Sequence, residues 1–515
     1  MPRRLRPLYG RTAAISCGHP AAAAAGWEAL AAGGSVADAA IAAAAALTVT
    51  LPSAVTIGGD GFILLHDAAA RRTFGLNASG RAPALTDVAA FAGGIPERGP
   101  RSCTGPALVA GWEALHRRFG RLDWAPLFRR AIDLATGFPA SPGIAAATVA
   151  NRAVLAEDPG ATQLFLKPAP ATGAIFRQPA LAATLRTIAE GGADAFYRGA
   201  PAASVARYVQ SRGGWLSAQD LADCSVEWVE PLRVPYRGLE VAVMPPNSFG
   251  LFMLLQLAAL DTADLRAAAV DSPERYAALI AAARAAFALG DTYVADPDVV
   301  GRAPPAILSE TGLAELRRAF RSANAPAPAN AGGTAVISIA DAEGNAACVV
   351  QSVFLGYGSG VADPETGILL NNRRFGFTNA PDHPNMVAPR KRPAHTLNPA
   401  MALEGGEVRY VLATPGGPGQ TLTLTQVLQA MVEHRLPLHE AMALPRWSMD
   451  LSGSVILEPG LPQATFDALR RRDHKVTWGA AGSPFFGSAE CVERLPGGGL
   501  LAVADHRRDG HAIAL

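Results

Sequence analysis

The residues of this chain best suited to covalent chemistry are Gly332-Gly333-Thr334. A threonine hydroxyl is a poor nucleophile unless a base stands beside it, and a threonine that heads a chain carries such a base in its own α-amine. An unperturbed α-amine titrates at about 7.7 to 8.0, near enough to neutrality to act as a general base. The two glycines before Thr334 suit the step that would create that chain end. Having no Cβ, they let the backbone take a strained turn and leave the Gly333 carbonyl open to the Thr334 hydroxyl. An N-to-O acyl shift followed by ester hydrolysis would then cut the chain at this bond. The competing reading of the same residues is an ordinary threonine opening an edge strand.

The elements around Thr334 read as a hairpin. Apolar and small residues alternate over 335–340 and again over 346–353, on either side of turn residues 341–345. If Ala340 opposes Ala346, Thr334 falls opposite Ser352, with Val336, Ser338, Val350 and Cys348 behind them. Directly opposed residues have Cβ atoms about 4.5–5.5 Å apart, so two hydroxyls would share one small space. Further on, Gly416-Gly417 precedes a helix expected over 421–434. N–H groups freed at a glycine turn and a helix start suit a developing oxyanion, and a simple turn is the alternative. Elsewhere the pattern predicts two alanine-rich helices within 19–47 split at Gly33-Gly34, a strand opening at 58–65 with a partner at 73–76, and a short helix capped by Ser217. Strands are expected at 234–236, 239–244, 401–403 and 408–412, and helices at 250–260 and 274–289. Gly58-Gly59-Asp60-Gly61 reads as a tight turn, because it lacks the lysine and following helix of a phosphate loop.

Composition narrows the function classes. Of 515 residues half are hydrophobic and 17% charged, with a formal net charge of +1, which describes a globular core without a bias toward nucleic acid or acidic partners. The N-terminal residues lack a secretory pattern and the alanine runs are too weakly apolar to span a membrane, so a cytoplasmic protein is expected. Five scattered cysteines at 17, 103, 224, 348 and 491 argue against a disulfide framework or a structural zinc site. No metal or organic cofactor is needed for the threonine chemistry, and none is visible in the sequence.

Several motifs in order resemble the gamma-glutamyltransferase family of N-terminal-nucleophile hydrolases: His19-Pro20, the runs 33–39, 58–62, 214–221 and 245–250, Thr334, then 341–345, 358–360, 370–372, 414–417 and 505–510. The resemblance implies an α/β fold, a four-layer αββα sandwich made as one precursor that cuts itself before Thr334. It further implies that Ser352 is the second hydroxyl beside the nucleophile and that Gly416 and Gly417 form the oxyanion hole. The glutamyl pattern fails where the substrate's amino-acid head would be held. Ser79 stands for a carboxylate-binding arginine, Gly376 for an aspartate, His395 and Thr396 for a serine pair, and Phe354 for an asparagine. Arg373 is gained just after Asn371-Asn372, and the pattern looks more like the oxamate amidohydrolase-like branch.

The expectation is therefore a self-processing amidohydrolase. Thr334, Ser352, Gly416 and Gly417 would be catalytic, and Arg373, His395, Thr396 and Asn372 would hold a small carboxylate-bearing amide such as oxamate. Cleavage between Gly333 and Thr334 would leave a large subunit, 1–333, and a small one, 334–515, forming one sandwich as a heterodimer, with a dimer of heterodimers as a further assembly. Alternatives are a gamma-glutamyl hydrolase or transpeptidase, an acylase for bulkier amides, and an uncleaved binding relative. The last gains from Ala335 and Val336, which replace the family's threonine and histidine after the nucleophile.

Overall fold

Fourteen strands build two antiparallel sheets in the computed structural model, which describes residues 5–322, 332–450, 453–472 and 475–515. In chain order they are β1 (Leu8–Gly10), β2 (Ala13–Cys17), β3 (Asp60–Asp67), β4 (Arg72–Ala78), β5 (Glu227–Val229), β6 (Leu232–Tyr236) and β7 (Leu239–Val243). They continue as β8 (Gly333–Asp341), β9 (Ala346–Phe354), β10 (Ala400–Glu404), β11 (Glu407–Ala413), β12 (Glu490–Arg494), β13 (Leu500–Ala504) and β14 (His511–Ala514). One sheet runs β14-β2-β8-β9-β3-β4-β5 and the other β1-β13-β12-β11-β10-β7-β6.

Period-two alternation explains the layering. Val336 on β8, Val350 on β9 and Phe62 and Leu64 on β3 point between the sheets, where they meet Met401, Val411 and Val492. Their neighbours Ile337, Ile339, Val349, Ile63 and Leu65 point outward into a second core shared with helices α1 (Pro20–Ala31) and α2 (Val36–Thr50). Every residue of α2 is buried, and its run of alanines is what lets a helix pack that closely on all sides. The other sheet turns Val241, Val243 and Leu412 outward onto α3 (Gly250–Leu260), α4 (Pro273–Gly290) and α5 (Gly419–Glu433). The result is the expected helix-sheet-sheet-helix sandwich.

Strand β8 is paired on both sides, with β2 and with β9. Thr334 thus opens an interior strand, not an edge strand. The expected register holds from Ala340 opposite Ala346 to Ala335 opposite Gln351, and then shifts so that Gly333 faces Phe354. That shift is a bulge on β9, which takes one extra residue beside Thr334 and bends the strand locally. On its other side Ser352 pairs with Asp60 of β3.

Candidate active site

Thr334 is 4% exposed at the start of β8. A Cβ on Gly333 would lie 2.8 Å from the Ser53 carbonyl oxygen, and Gly332 has φ +148°, so neither position readily takes a larger residue. The Ser352 hydroxyl donates to the Gly333 carbonyl oxygen at 2.5 Å and accepts from the Phe354 N–H at 2.7 Å. The bulge therefore aims Ser352 at the carbonyl that precedes the threonine. A donor there polarises the C=O toward attack. Gln420, on the first turn of α5, donates through Nε2 to Thr334 Oγ1 at 3.3 Å and accepts the Asn398 N–H at 2.9 Å.

Gly416 and Gly417 lie just before α5 with φ +136° and +54°. A Cβ on Gly332 would meet the Gly417 Cα and N at 3.3 and 3.4 Å, so this turn abuts the glycine pair before Thr334. From Thr334 a cavity of about 520 Å³ opens past Gly332 and Gly333 toward Asn151, Pro415, Glu490 and Arg508. The Ser16 hydroxyl donates to Glu490 at 2.7 Å, and burial pushes the Glu490 carboxyl well above its ordinary range.

A second cluster lies one strand over from Ser352. Asp60, Arg373 and His395 are all fully buried, with Asp60 Oδ2 3.7 Å from Arg373 Nε and 3.4 Å from His395 Nε2. Arg373 Nη1 reaches Thr396 Oγ1 at 3.4 Å, while its Nε and Nη2 have no hydrogen-bond partner among the described residues. The Phe354 ring covers the guanidinium at 4.2 Å. Burial raises the Asp60 pKa to about 6 against the opposing pull of Arg373, and lowers Arg373 to about 9. Burial, and then Arg373, keeps His395 neutral, well below its ordinary value. Unpaired buried donors each cost about 1–3 kcal/mol, so this guanidinium is poised for an acceptor that the described residues do not supply.

The residues expected from sequence thus fall in two groups. Ser352 bonds the Gly333 carbonyl that precedes Thr334, Gly417 abuts Gly332 with Gly416 beside it in the chain, and Arg373, His395 and Thr396 gather around Asp60. Asn372 uses its side chain on the Leu355 N–H at 3.1 Å and the Glu97 carbonyl at 2.8 Å, fixing the loop that carries Arg373. Where the glutamyl pattern has acidic and basic groups, Ser79 donates to Asn77 at 2.7 Å, and a Cβ on Gly376 would meet the Ala394 carbonyl oxygen at 2.7 Å. Sequence reasoning missed Asp60, Gln420 and Glu490. The expected turn reaches only to Gly59, whose N–H bonds the Thr56 carbonyl at 3.1 Å; Gly58 bridges Leu370 and Asp60 already begins β3. The signal was available, since Asp60 shares the face of Phe62 and Leu64, and a carboxylate on a core-facing strand position needs a partner.

The family model for gamma-glutamyltranspeptidase matches residues 22–515. The chain belongs to the gamma-glutamyltranspeptidase family. Among its relatives, the oxamate amidohydrolase proenzyme of Klebsiella pneumoniae is 34% identical over 88% of this chain and 89% of its own length. The glutathione hydrolase-like YwrD proenzyme of Bacillus subtilis is 32% identical over 90% of this chain and 91% of its own. The crystal structure of cephalosporin acylase from Bacillus halodurans superposes with a TM-score of 0.92 at 32% identity, covering 100% of this chain and 98% of that one. Within the gamma-glutamyltranspeptidase family the chain is an N-terminal-nucleophile hydrolase.

Proposed function

We propose that this hydrolase processes itself at the Gly333–Thr334 bond and then hydrolyses small amides that carry a carboxylate beside the scissile carbonyl, oxamate being the simplest. In processing, the Thr334 hydroxyl attacks the Gly333 carbonyl, whose oxygen is held by Ser352. The amide nitrogen leaves to become the α-amine of Thr334, and water hydrolyses the ester. In turnover that amine takes the hydroxyl proton and returns it to the leaving nitrogen, Gly416 and Gly417 hold the oxyanion, and water resolves the acyl-enzyme. The products of processing, 1–333 and 334–515, stay together because each sheet contains strands from both.

The observation that carries the substrate reading is Arg373, fully buried with two donors unpaired among the described residues and 3.7 Å from Asp60, which pairs with Ser352. A guanidinium with open donors is suited to hold the carboxylate of a small acid amide. The similarity to the oxamate amidohydrolase proenzyme supports the same reading. The cavity of about 520 Å³ at Thr334 favours a second reading, an acylase for bulkier amides, in keeping with the cephalosporin acylase likeness.

Intact mass of the purified protein beside Thr334→Ala tests the processing. Two fragments meeting between Gly333 and Thr334 in the wild type alone are expected, and a single full-length chain in both would overturn it. Ammonia release from oxamate, measured against a γ-glutamyl nitroanilide and a bulky acyl amide, separates the substrate classes.

A further inference from the structure

Asp60 is a strange neighbour for an anion-binding arginine, since a carboxylate substrate docking on Arg373 would bring a second negative charge into a fully buried space. The geometry shows that Asp60 does not hold Arg373 as a structural partner would. Their closest approach is 3.7 Å without a hydrogen bond, and the guanidinium keeps Nε and Nη2 unpaired among the described residues. Asp60 instead accepts the Gly80 N–H at Oδ1, at 3.0 Å, while Oδ2 makes a long hydrogen bond with His395 Nε2, at 3.4 Å, and faces Arg373 at 3.7 Å.

We propose that Asp60 sets substrate specificity by proton exchange: it balances the charge of Arg373 in the free enzyme and takes up one proton from solvent when the substrate's carboxylate replaces it. This deepens the proposed substrate reading and rests on it. The charges conserve: an ionised Asp60, an anionic substrate and one proton become a neutral Asp60 and a substrate carboxylate paired with Arg373.

The other groups facing Asp60 leave this exchange to it. Arg392 bonds the Ser79 carbonyl at 3.0 Å and Glu227 at 2.9 Å, so its charge is already matched. Tyr197 and Cys224 are pushed up by burial, Cys224 to about 12, and stay neutral. His395 is held neutral by burial and by Arg373. Asp60, with its pKa raised to about 6 chiefly by burial, is already poised to be protonated near neutrality.

The sign follows from linkage. Below about pH 6 the free enzyme already holds the proton and anion affinity is pH-independent. Above it, binding must draw a proton from solvent, so the KM for an anionic amide rises by up to about tenfold per pH unit. Neutral amides gain no such dependence.

The test compares oxamate with its neutral counterpart oxamide on the processed wild type, Asp60→Asn and His395→Gln between pH 5.5 and 8.5. Taking the ratio of the two KM values removes the titration of the Thr334 α-amine, which both substrates share. The ratio is expected to climb with pH in the wild type and in His395→Gln and to be flat in Asp60→Asn. Proton uptake on binding pyruvate, a carboxylate of the same size with no amide to cleave, read on the wild type by calorimetry in buffers of different ionisation enthalpy, should approach one proton at pH 8 and needs no variant. A pH-independent preference for oxamate in the wild type, or a slope that disappears in His395→Gln and survives in Asp60→Asn, would overturn this inference alone. No preference for oxamate over oxamide at any pH would overturn the carboxylate reading and this inference together.

Discussion

Arg507 and Arg373 are both buried arginines beside a buried aspartate, yet they are built in opposite ways. Arg507 is engaged at every nitrogen: Nε and Nη2 bond Glu458 at 2.9 and 2.7 Å, Nη1 bonds Asp505 at 3.0 Å, and Nη2 also reaches the Leu444 carbonyl at 3.1 Å. Asp505 in turn accepts from Arg446 at 2.5 Å and from the Ala489 N–H at 3.1 Å. Arg373 makes one long bond, to Thr396. A closed network of charges fixes a structure, whereas a charge left with open donors in the same kind of interior is suited to binding something else.

The largest effect should come from breaking the closed network. Arg507→Met strands two buried carboxylates and is expected to lower stability by about 3–5 kcal/mol, measured by urea unfolding in a Thr334→Ala background where the chain is expected to stay whole. Arg373→Met should change stability by less than about 1 kcal/mol, because little bonding is lost, while kcat/KM for oxamate falls roughly a hundredfold, about 3 kcal/mol. A stability loss at Arg373 as large as that at Arg507 would erase the distinction between the two.

The aspartates sharpen the contrast through pH. Two arginines, through their charge, hold Asp505 below its ordinary value despite burial, so its contribution is present above the unfolded pKa and lost as pH falls through the folded one. Asp60 is raised from 3.8 to about 6 by burial, so its contribution is full below the unfolded pKa and is lost as pH rises through about 6. At pH 8 Asp60→Asn should therefore stabilise the protein by about 2–3 kcal/mol, with the gain fading by pH 4, and Asp505→Asn should destabilise it. Unfolding curves at the two pH values would show whether the signs differ. The smallest expected effect is at Gln420, whose two ends are both satisfied. Gln420→Ala removes one long bond to Thr334 and should slow processing only about fivefold, roughly 1 kcal/mol, followed by fragment formation on gels.

Much of this arrangement was legible in the chain. Alternation around residues 341–345 fixed the hairpin and its register as far as Ala335 opposite Gln351, and helices at 250–260 and 274–289 followed from the turn residues before the first and the alanine-rich run of the second. The register broke at Thr334 because a bulge is decided by what packs on the strand: here Phe354, with φ +82°, pairs with Gly333. Local spacing holds no trace of that. Asp60 escaped for a related reason, since its glycine neighbours suggested a turn while its meaning came from Arg373 and His395, more than 300 residues away. Arg373 and His395 were found because they stand where an expected pattern was broken, although nothing in the sequence said that both would be fully buried.

The interleaving of the two sheets has a consequence for the life history of the molecule. β1, β6 and β7 precede residue 334 and β10 to β13 follow it, all within one sheet, and the other sheet is mixed in the same way. A whole chain folds at a rate independent of concentration. Once cut before Thr334, the same set of strands could be reassembled after denaturation only by the meeting of two molecules, each exposing unpaired strand edges while it waits. The cut would therefore turn folding into a one-time event: the protein would be born as a reversible folder and would mature into a kinetically trapped one, whose loss on heating is measured as a rate of inactivation instead of an equilibrium.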